Sequence, residues 1–332
     1  MRKFFFALLL LSALLACSDE PSSVQRPVEA SQHGLLIASE GKFGEGNGSL
    51  SFYNPETKAV EHELFLRANG HYLGDTPHSI TLYDNLCWIV VNNSGVIYAV
   101  DPSTYEVKRI INEGLTSPRY ICFASPEKAY VSELWSSRIL IVNPKSGLVE
   151  GSIATTMNDM EGSTEQMILL GDYLYVTCWS YQKQLIKIDT RTDEVVKKLE
   201  LPVGNMARCG DSLYVYSNAF DKQAQKHSIS YAIVNLASRE VVDHHFIKDG
   251  TESQIVVPYG VAVNPETREI LVTDAGDYVT PGTLHCYDAK GVRQWSVTTG
   301  DIPAHIAFTH RRLKPATTVD PDQNDANPYI TS

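Results

Sequence analysis

Polar residues with chemical potential recur in this chain at one kind of place. Glu40, Asn92, Asn93, Glu133, Asn218 and Asp274 each follow directly on an apolar run and open a polar stretch. Carboxylate and amide oxygens in such numbers suit either a hard cation or a ligand rimmed by amides. The polar stretches also carry aromatic side chains, namely Phe43, Trp135, Trp179, Tyr181, Phe220 and Tyr278. A second set opens another recurring apolar run: His78, Arg119, Tyr120, Gln166, Tyr259 and His305, with Tyr72 just before the first. Aromatic faces mixed with amides and charges fit a broad, partly apolar ligand with polar edges. No GxSxG elbow supplies a nucleophile, and no P-loop or GxGxxG follows a strand. His244-His245 is a tempting metal pair, but neighbours on a strand point to opposite faces, so both are expected at the surface. Outside the leader, Cys87, Cys122, Cys178, Cys209 and Cys286 lack CxxC spacing and sit in apolar surroundings, as small buried hydrophobes do.

The elements that must position these residues repeat. Leu86–Val91, Lys128–Ser132, Tyr173–Thr177, Ser212–Tyr216 and Glu269–Thr273 are each preceded by a turn signal and followed by a polar loop. A second strand then ends in Asn or Asp, as in Asn54-Pro55, Asp101-Pro102 and Asn143-Pro144. A third, more polar strand comes next (Ala59 to Phe65 and Glu240 to Phe246 among them), and a short strand opens the following unit, as in Pro77-His78 and Pro118-Arg119. Four short strands in a unit of about 40–50 residues read as a β-propeller blade. The fold expected is therefore all-β, a propeller of four-stranded blades. The repeat count is six, with seven as the other reading. The chain enters in mid-unit at Leu35 and ends on an opening strand, Ile302 to Phe308, which closes the ring by completing the first blade. The propeller domain is placed at residues 33–313, followed by a Pro-, Asp- and Asn-rich tail over 314–332.

Strand order converts repeats into surfaces. With strands a to d numbered from the channel outward, the b–c loops and d–a connections share one face. The a–b and c–d turns share the other, where Asn-Pro and Asp-Pro serve turn formation. The first face gathers the varied loops, Glu40 to Ser49, Asn92 to Gly95, Glu133 to Arg138, Trp179 to Gln184, Asn218 to Ser228 and Asp274 to Thr283, and with them all the residues singled out above. Variable loops on a repeated scaffold are where binding is expected.

The first residues suggest an address. Arg2-Lys3 precede an apolar stretch, Phe4 to Ala16, too short to span a bilayer and shaped like a signal peptide. Leu14-Leu15-Ala16-Cys17 resembles the lipobox of bacterial lipoproteins, which implies a signal peptide over 1–16, lipid on Cys17 and a tether over 17–32. Ser18-Asp19-Glu20 resembles a signal for export to the outer face of the outer membrane. The formal charge of -11 argues against nucleic acid as a partner.

Together with the lipobox, Trp88–Gly95, Ser117–Ile121, Lys128–Val131, Glu45–Ser51 and Ile302–His305 resemble the BtuG-type surface lipoproteins, propellers that bind cobalamin. The resemblance spans roughly residues 33 to 310. It implies a non-enzymatic lipoprotein that captures cobalamin or another corrinoid on the loop-rich face. It also implies delivery to a TonB-dependent outer-membrane transporter of the BtuB type, which the protein would cap like a lid. Such propellers have seven blades. The residues expected at the ligand are Phe43, Asn92, Asn93, Arg119, Tyr120, Glu133, Trp135, Gln166, Trp179, Tyr181, Asn218, Phe220, Tyr259, Asp274, Tyr278 and His305. His78 and His305 are expected to hydrogen-bond rather than ligate cobalt. No cofactor is called for. Two other readings stand beside this one. Acids and amides at the b-strand ends also resemble the calcium site of six-bladed lactonase-type hydrolases, and a propeller of this kind can bind protein or glycan partners alone.

Overall fold

In a computed structural model, residues 34–155, 163–178, 184–200, 205–221, 226–236, 238 and 240–309 are described. They form six four-stranded antiparallel sheets arranged as a β-propeller. Blade 1 joins the two ends of this stretch: its inner strand is Pro303–Thr309, and Gly34–Ser39, Ser49–Asn54 and Ala59–Glu61 follow outward. The register Leu35↔Phe308 and Ile37↔Ile306 fixes that closure. The inner strands of blades 2 to 6 are Pro77–Tyr83, Pro118–Ser125, Thr164–Leu170, Asn205–Cys209 and Pro258–Val263. Six blades is thus the count, as the repeats indicate.

Two outer strands are shorter than the sequence suggests. In blade 1 the outer strand stops at Glu61, and Leu64–Asn69 form a short helix that drives Leu64 and Phe65 into the core. In blade 5 the outer strand is only Val241–Asp243, because Phe246 and Ile247 turn inward to the core. The blade 5 hairpin is longer than expected. Its strands pair through Phe220↔His227, so Asn218 and Phe220 lie in a strand and not in a loop.

Apolar side chains pack between blades rather than within them. Six buried clusters fill the six seams, and the richest, between blades 1 and 2, joins Leu36, Phe52, Phe65, Ile80, Ile89 and Val91. Each fully buried residue of this size contributes about 1.5–3 kcal/mol over its exposed state. Trp88 is wholly buried between blades 2 and 3, its indole N–H donating to the Tyr83 carbonyl at 3.2 Å. Cys87, Cys122, Cys178, Cys209 and Cys286 are all free and buried, as the apolar runs around them lead one to expect.

The c–d turns follow the chemistry read from their sequences. Asn54 Oδ1 accepts from Glu56 N at 2.9 Å, Asp101 Oδ1 from Ser103 N at 2.8 Å, and Asn143 Oδ1 from Lys145 N at 3.0 Å. His244 and His245 are both exposed.

Candidate functional site at the channel mouth

Each inner strand begins beside the loop-rich face, and in five blades its first residues are irregular. The register with the next strand shifts between Pro77 and Ser79, Pro118 and Ile121, Thr164 and Met167, Pro258 and Val261, and at the matching place in blade 1. Such bulges re-aim a side chain out of the normal alternation. Here they turn His78, Arg119, Glu165 and Tyr259, each the second residue of its strand, into one cluster.

The cluster is held by short polar contacts. Arg119 donates its Nε–H to both oxygens of Glu165, at 3.1 and 2.9 Å. His78 Nδ1 lies 2.8 Å from Glu40 Oε1, and Tyr259 donates its hydroxyl to Glu40 Oε2 at 3.1 Å. His78 Nε2 is buried without a hydrogen-bond partner, 3.7 Å from Glu165 Oε2. The Tyr120 ring packs edge-on against both His78 and His305. His305 accepts the Ile80 N–H on Nδ1 at 3.4 Å, which places its proton on Nε2.

Burial sets the charges. It pushes the Glu40 carboxyl up to about 7, against the opposing pull of Arg119 and the Tyr259 hydroxyl. It holds His78 well below the usual imidazole range, with Arg119 adding to the effect. His305 is pushed down to about 3 by burial and by His78. Arg119 keeps its charge although burial opposes it, because Glu165 and Glu40 outweigh that cost. Protonated Glu40 donates to His78 Nδ1, and the His78 Nε2–H then faces Glu165, the ion-pair partner of Arg119. Below neutral pH the mouth therefore carries one cation and one anion in contact, with neutral groups around them. Beneath it the inner strands enclose a channel of ≈ 210 Å³ lined by Tyr120, Gln166, Met206, Arg208 and His305 among others.

Among the described side chains, the b-strand acids and amides Asn92, Asn93, Glu133 and Asp274 do not join this cluster. Glu133 accepts from Thr116 N at 2.7 Å and from Arg138 Nε at 3.2 Å. Asp274 accepts from the amides of Val256, Val257 and Gly276 at 2.8–2.9 Å. Asn92 donates to the Pro118 carbonyl at 3.0 Å, and Asn93 to Asp75. Their polar atoms tie down the loops; among the described residues no three His, Cys, Asp or Glu side chains are grouped to hold a metal ion. Gln166 bonds both backbone groups of Met206, which fastens blade 4 to blade 5.

Above the mouth the loops present large side chains to solvent. Phe43 is 80 % exposed, Trp135 64 % and Tyr278 46 %. Trp135 and Tyr278 are held at φ 60° and 61°, a region bulky residues rarely occupy. Trp179, Tyr181 and Cys17, where lipid is expected, lie outside the described residues, as do the side chains of Asn218 and Phe220.

Residues 33–220 match a protein family described as a domain of unknown function, DUF5074. The chain belongs to that family. No curated protein matches the sequence. Among solved structures, this DUF5074 propeller is similar to a Bacteroides caccae protein of unknown function, with 12 % identity and a TM-score of 0.59 over 83 % of this chain and 98 % of that one. A quinonprotein alcohol dehydrogenase-like protein from Bacteroides thetaiotaomicron VPI-5482 has 14 % identity and a TM-score of 0.56, covering 84 % and 78 %. Kuenenia stuttgartiensis hydrazine synthase has 14 % identity and a TM-score of 0.53, covering 86 % and 91 %. At such identities the likeness is one of fold.

Three members of the DUF5074 mouth, Glu40, His78 and Glu165, are absent from the set of residues expected at the ligand, although His78 was weighed as a hydrogen-bonding group. Column alignment carries the signal for Glu165. Pro77-His78, Pro118-Arg119, Thr164-Glu165 and Pro258-Tyr259 place the same column at the axis, whereas Gln166 belongs to the next column with Tyr120 and His305.

Proposed function

We propose that this DUF5074 protein is a non-enzymatic binding lipoprotein that takes up cobalamin or a related corrinoid on its loop-rich face. In this reading Cys17 carries the lipid, the propeller stands at the outer surface of the outer membrane, and the ligand passes to a TonB-dependent transporter of the BtuB type. The observation that carries the reading is the pairing of a charge-balanced floor with exposed aromatic rings above it on one face. A corrinoid is a broad disc with neutral amide arms. The disc and its benzimidazole suit Phe43, Trp135 and Tyr278, and the arms suit backbone groups, Arg119 and the amide side chains nearby. A strongly charged floor would instead favour a charged ligand. Because the mouth is fixed by bulges and buried bonds, little ordering accompanies binding, which favours affinity. The positive φ of Trp135 and Tyr278 fits rings held in place for a ligand.

The decisive measurement is gel filtration of the purified domain mixed with cyanocobalamin. Corrin absorbance is expected to co-elute with the protein, and to be reduced by Trp135→Ala. Absence of corrin from the protein peak at micromolar concentrations of both would reject the reading.

A further inference from the structure

A second cavity lies away from the channel, at the seam where blade 6 meets blade 1. It measures ≈ 430 Å³, within the range of small-ligand sites. Its walls come from the blade 1 loop, the connection leaving that blade, and the ends of two blade 6 strands, Pro281–Tyr287 and Arg293–Asp301. No lysine or arginine lines it. Two carboxylates do, Glu63 and Asp301, and neither has a partner among the described residues. Hydroxyls of Ser49 and Thr298 stand nearby, and Tyr72 offers a half-exposed ring at the wall.

The floor is shaped by an absent side chain. A Cβ on Gly300 would fall 2.8 Å from Ser39 Oγ and 2.9 Å from Ser49 Oγ. Ser39 is fully buried and its hydroxyl has no partner, so a polar group without a bond lies directly beneath the bare glycine. Such a group is unfavourable unless something satisfies it. The backbone around the cleft is strained as well. Glu63 sits at φ 56° and Ile302 at φ 55°, the latter an outlier for a β-branched residue. His62 is engaged through Nδ1 with Ser51 Oγ at 3.2 Å, which leaves its other nitrogen uncommitted.

We propose that this cleft binds a saccharide of about two rings, neutral or bearing an amine. The chemistry selects that class over others. One aromatic face takes the C–H side of a pyranose, while carboxylates and hydroxyls bond its hydroxyl groups. Two unpaired carboxylates in a lining without lysine or arginine disfavour phosphates and acidic sugars. The proposal stands on the cleft alone and is independent of the corrinoid reading.

The test uses the purified domain with maltose, lactose, cellobiose and chitobiose, by saturation-transfer NMR and calorimetry. At least one disaccharide is expected to bind. Tyr72→Ala and Asp301→Asn should each weaken it about tenfold, the loss of roughly 1.4 kcal/mol. Both residues are at the surface or half-buried, so both variants should fold, as thermal melts would check. Trp135→Ala, outside the cleft, should leave disaccharide binding unchanged, and Asp301→Asn should leave cyanocobalamin retention unchanged. Failure of all four sugars, or binding that survives the Tyr72→Ala/Asp301→Asn double variant, overturns the proposal.

Discussion

Blades 3 and 6 use the end of their second strand quite differently from blade 1. All three strands end in a hydroxyl followed by an acid: Ser132-Glu133, Thr273-Asp274 and Ser39-Glu40. In blade 3 the hydroxyl accepts the Tyr120 amide at 3.0 Å, and in blade 6 it accepts the Gly260 amide at 2.7 Å. The acids beside them hold the amides of the incoming connection. In blade 1 neither staple forms. Ser39 Oγ is buried and unpartnered, and Glu40 turns to His78 and Tyr259. The inner strand of blade 1 comes from the far end of the chain, and its bulge falls at Ala304, opposite Ala38 and Ser39. One repeat position thus serves as scaffold in two blades and as part of the channel mouth in a third. Position in a repeat sets where a side chain starts; the neighbouring strand decides what it does.

Several substitutions probe that division. The largest loss is expected at the mouth. Arg119→Met strands Glu165 in a buried site and removes a favourable charge from Glu40, which should cost about 3–5 kcal/mol. Urea unfolding would read it, and a loss below about 1 kcal/mol would mean the ion pair is wetter than its burial implies. Glu133→Ala and Asp274→Ala each orphan amides of a connection, and about 2–3 kcal/mol of destabilisation is expected from either. If one of these instead abolished ligand binding at unchanged stability, the staple assignment would be wrong. Asn92→Ala removes a single buried bond to Pro118 and should cost about 1–2 kcal/mol, seen as a modest shift of the same midpoint.

The architecture was legible because a propeller repeats its signals. Apolar runs, Asn-Pro and Asp-Pro turns and the prolines opening inner strands recur often enough to count six units and to separate two faces. Blade closure was legible too, since Leu35 begins in mid-unit. Strand alternation fails at the bulges, where a register shift exchanges adjacent residues. For that reason Glu165 was not picked out, although it joins His78 and Arg119 at the mouth while Gln166 lines the channel beneath. The fates of Glu133 and Asp274 were equally hidden, because an acid bonded to backbone amides looks like any other acid in a sequence. The cleft at the closing seam had no sequence signal at all; its walls come from residues some 250 positions apart, Ser49 and Thr298 among them.

The subtlest contrast concerns the proton on Glu40. A glutamine at this position reproduces the protonated acid: its amide can donate to His78 Nδ1, and its oxygen can accept from Tyr259. Glu40→Gln should therefore be close to neutral at pH 5. The folded-state value of about 7 lies above the ordinary 4.5, so the folded protein holds this proton more tightly than the unfolded chain. Its stabilising contribution is complete below pH 4.5 and is lost as pH rises through 7. His78 and His305, both lowered, contribute in the opposite sense, since the unfolded chain takes up their protons first. The total pH profile mixes these effects, but the difference between wild type and Glu40→Gln isolates the carboxyl. That difference should grow in favour of the variant from pH 5 to pH 8, reaching about 2–3 kcal/mol. A gap that stays flat would mean Glu40 is ionised at neutral pH, with His78 Nδ1 as the donor. The mouth would then carry a net negative charge, and its suitability for a neutral, amide-rimmed ligand would rest on the aromatic rings alone.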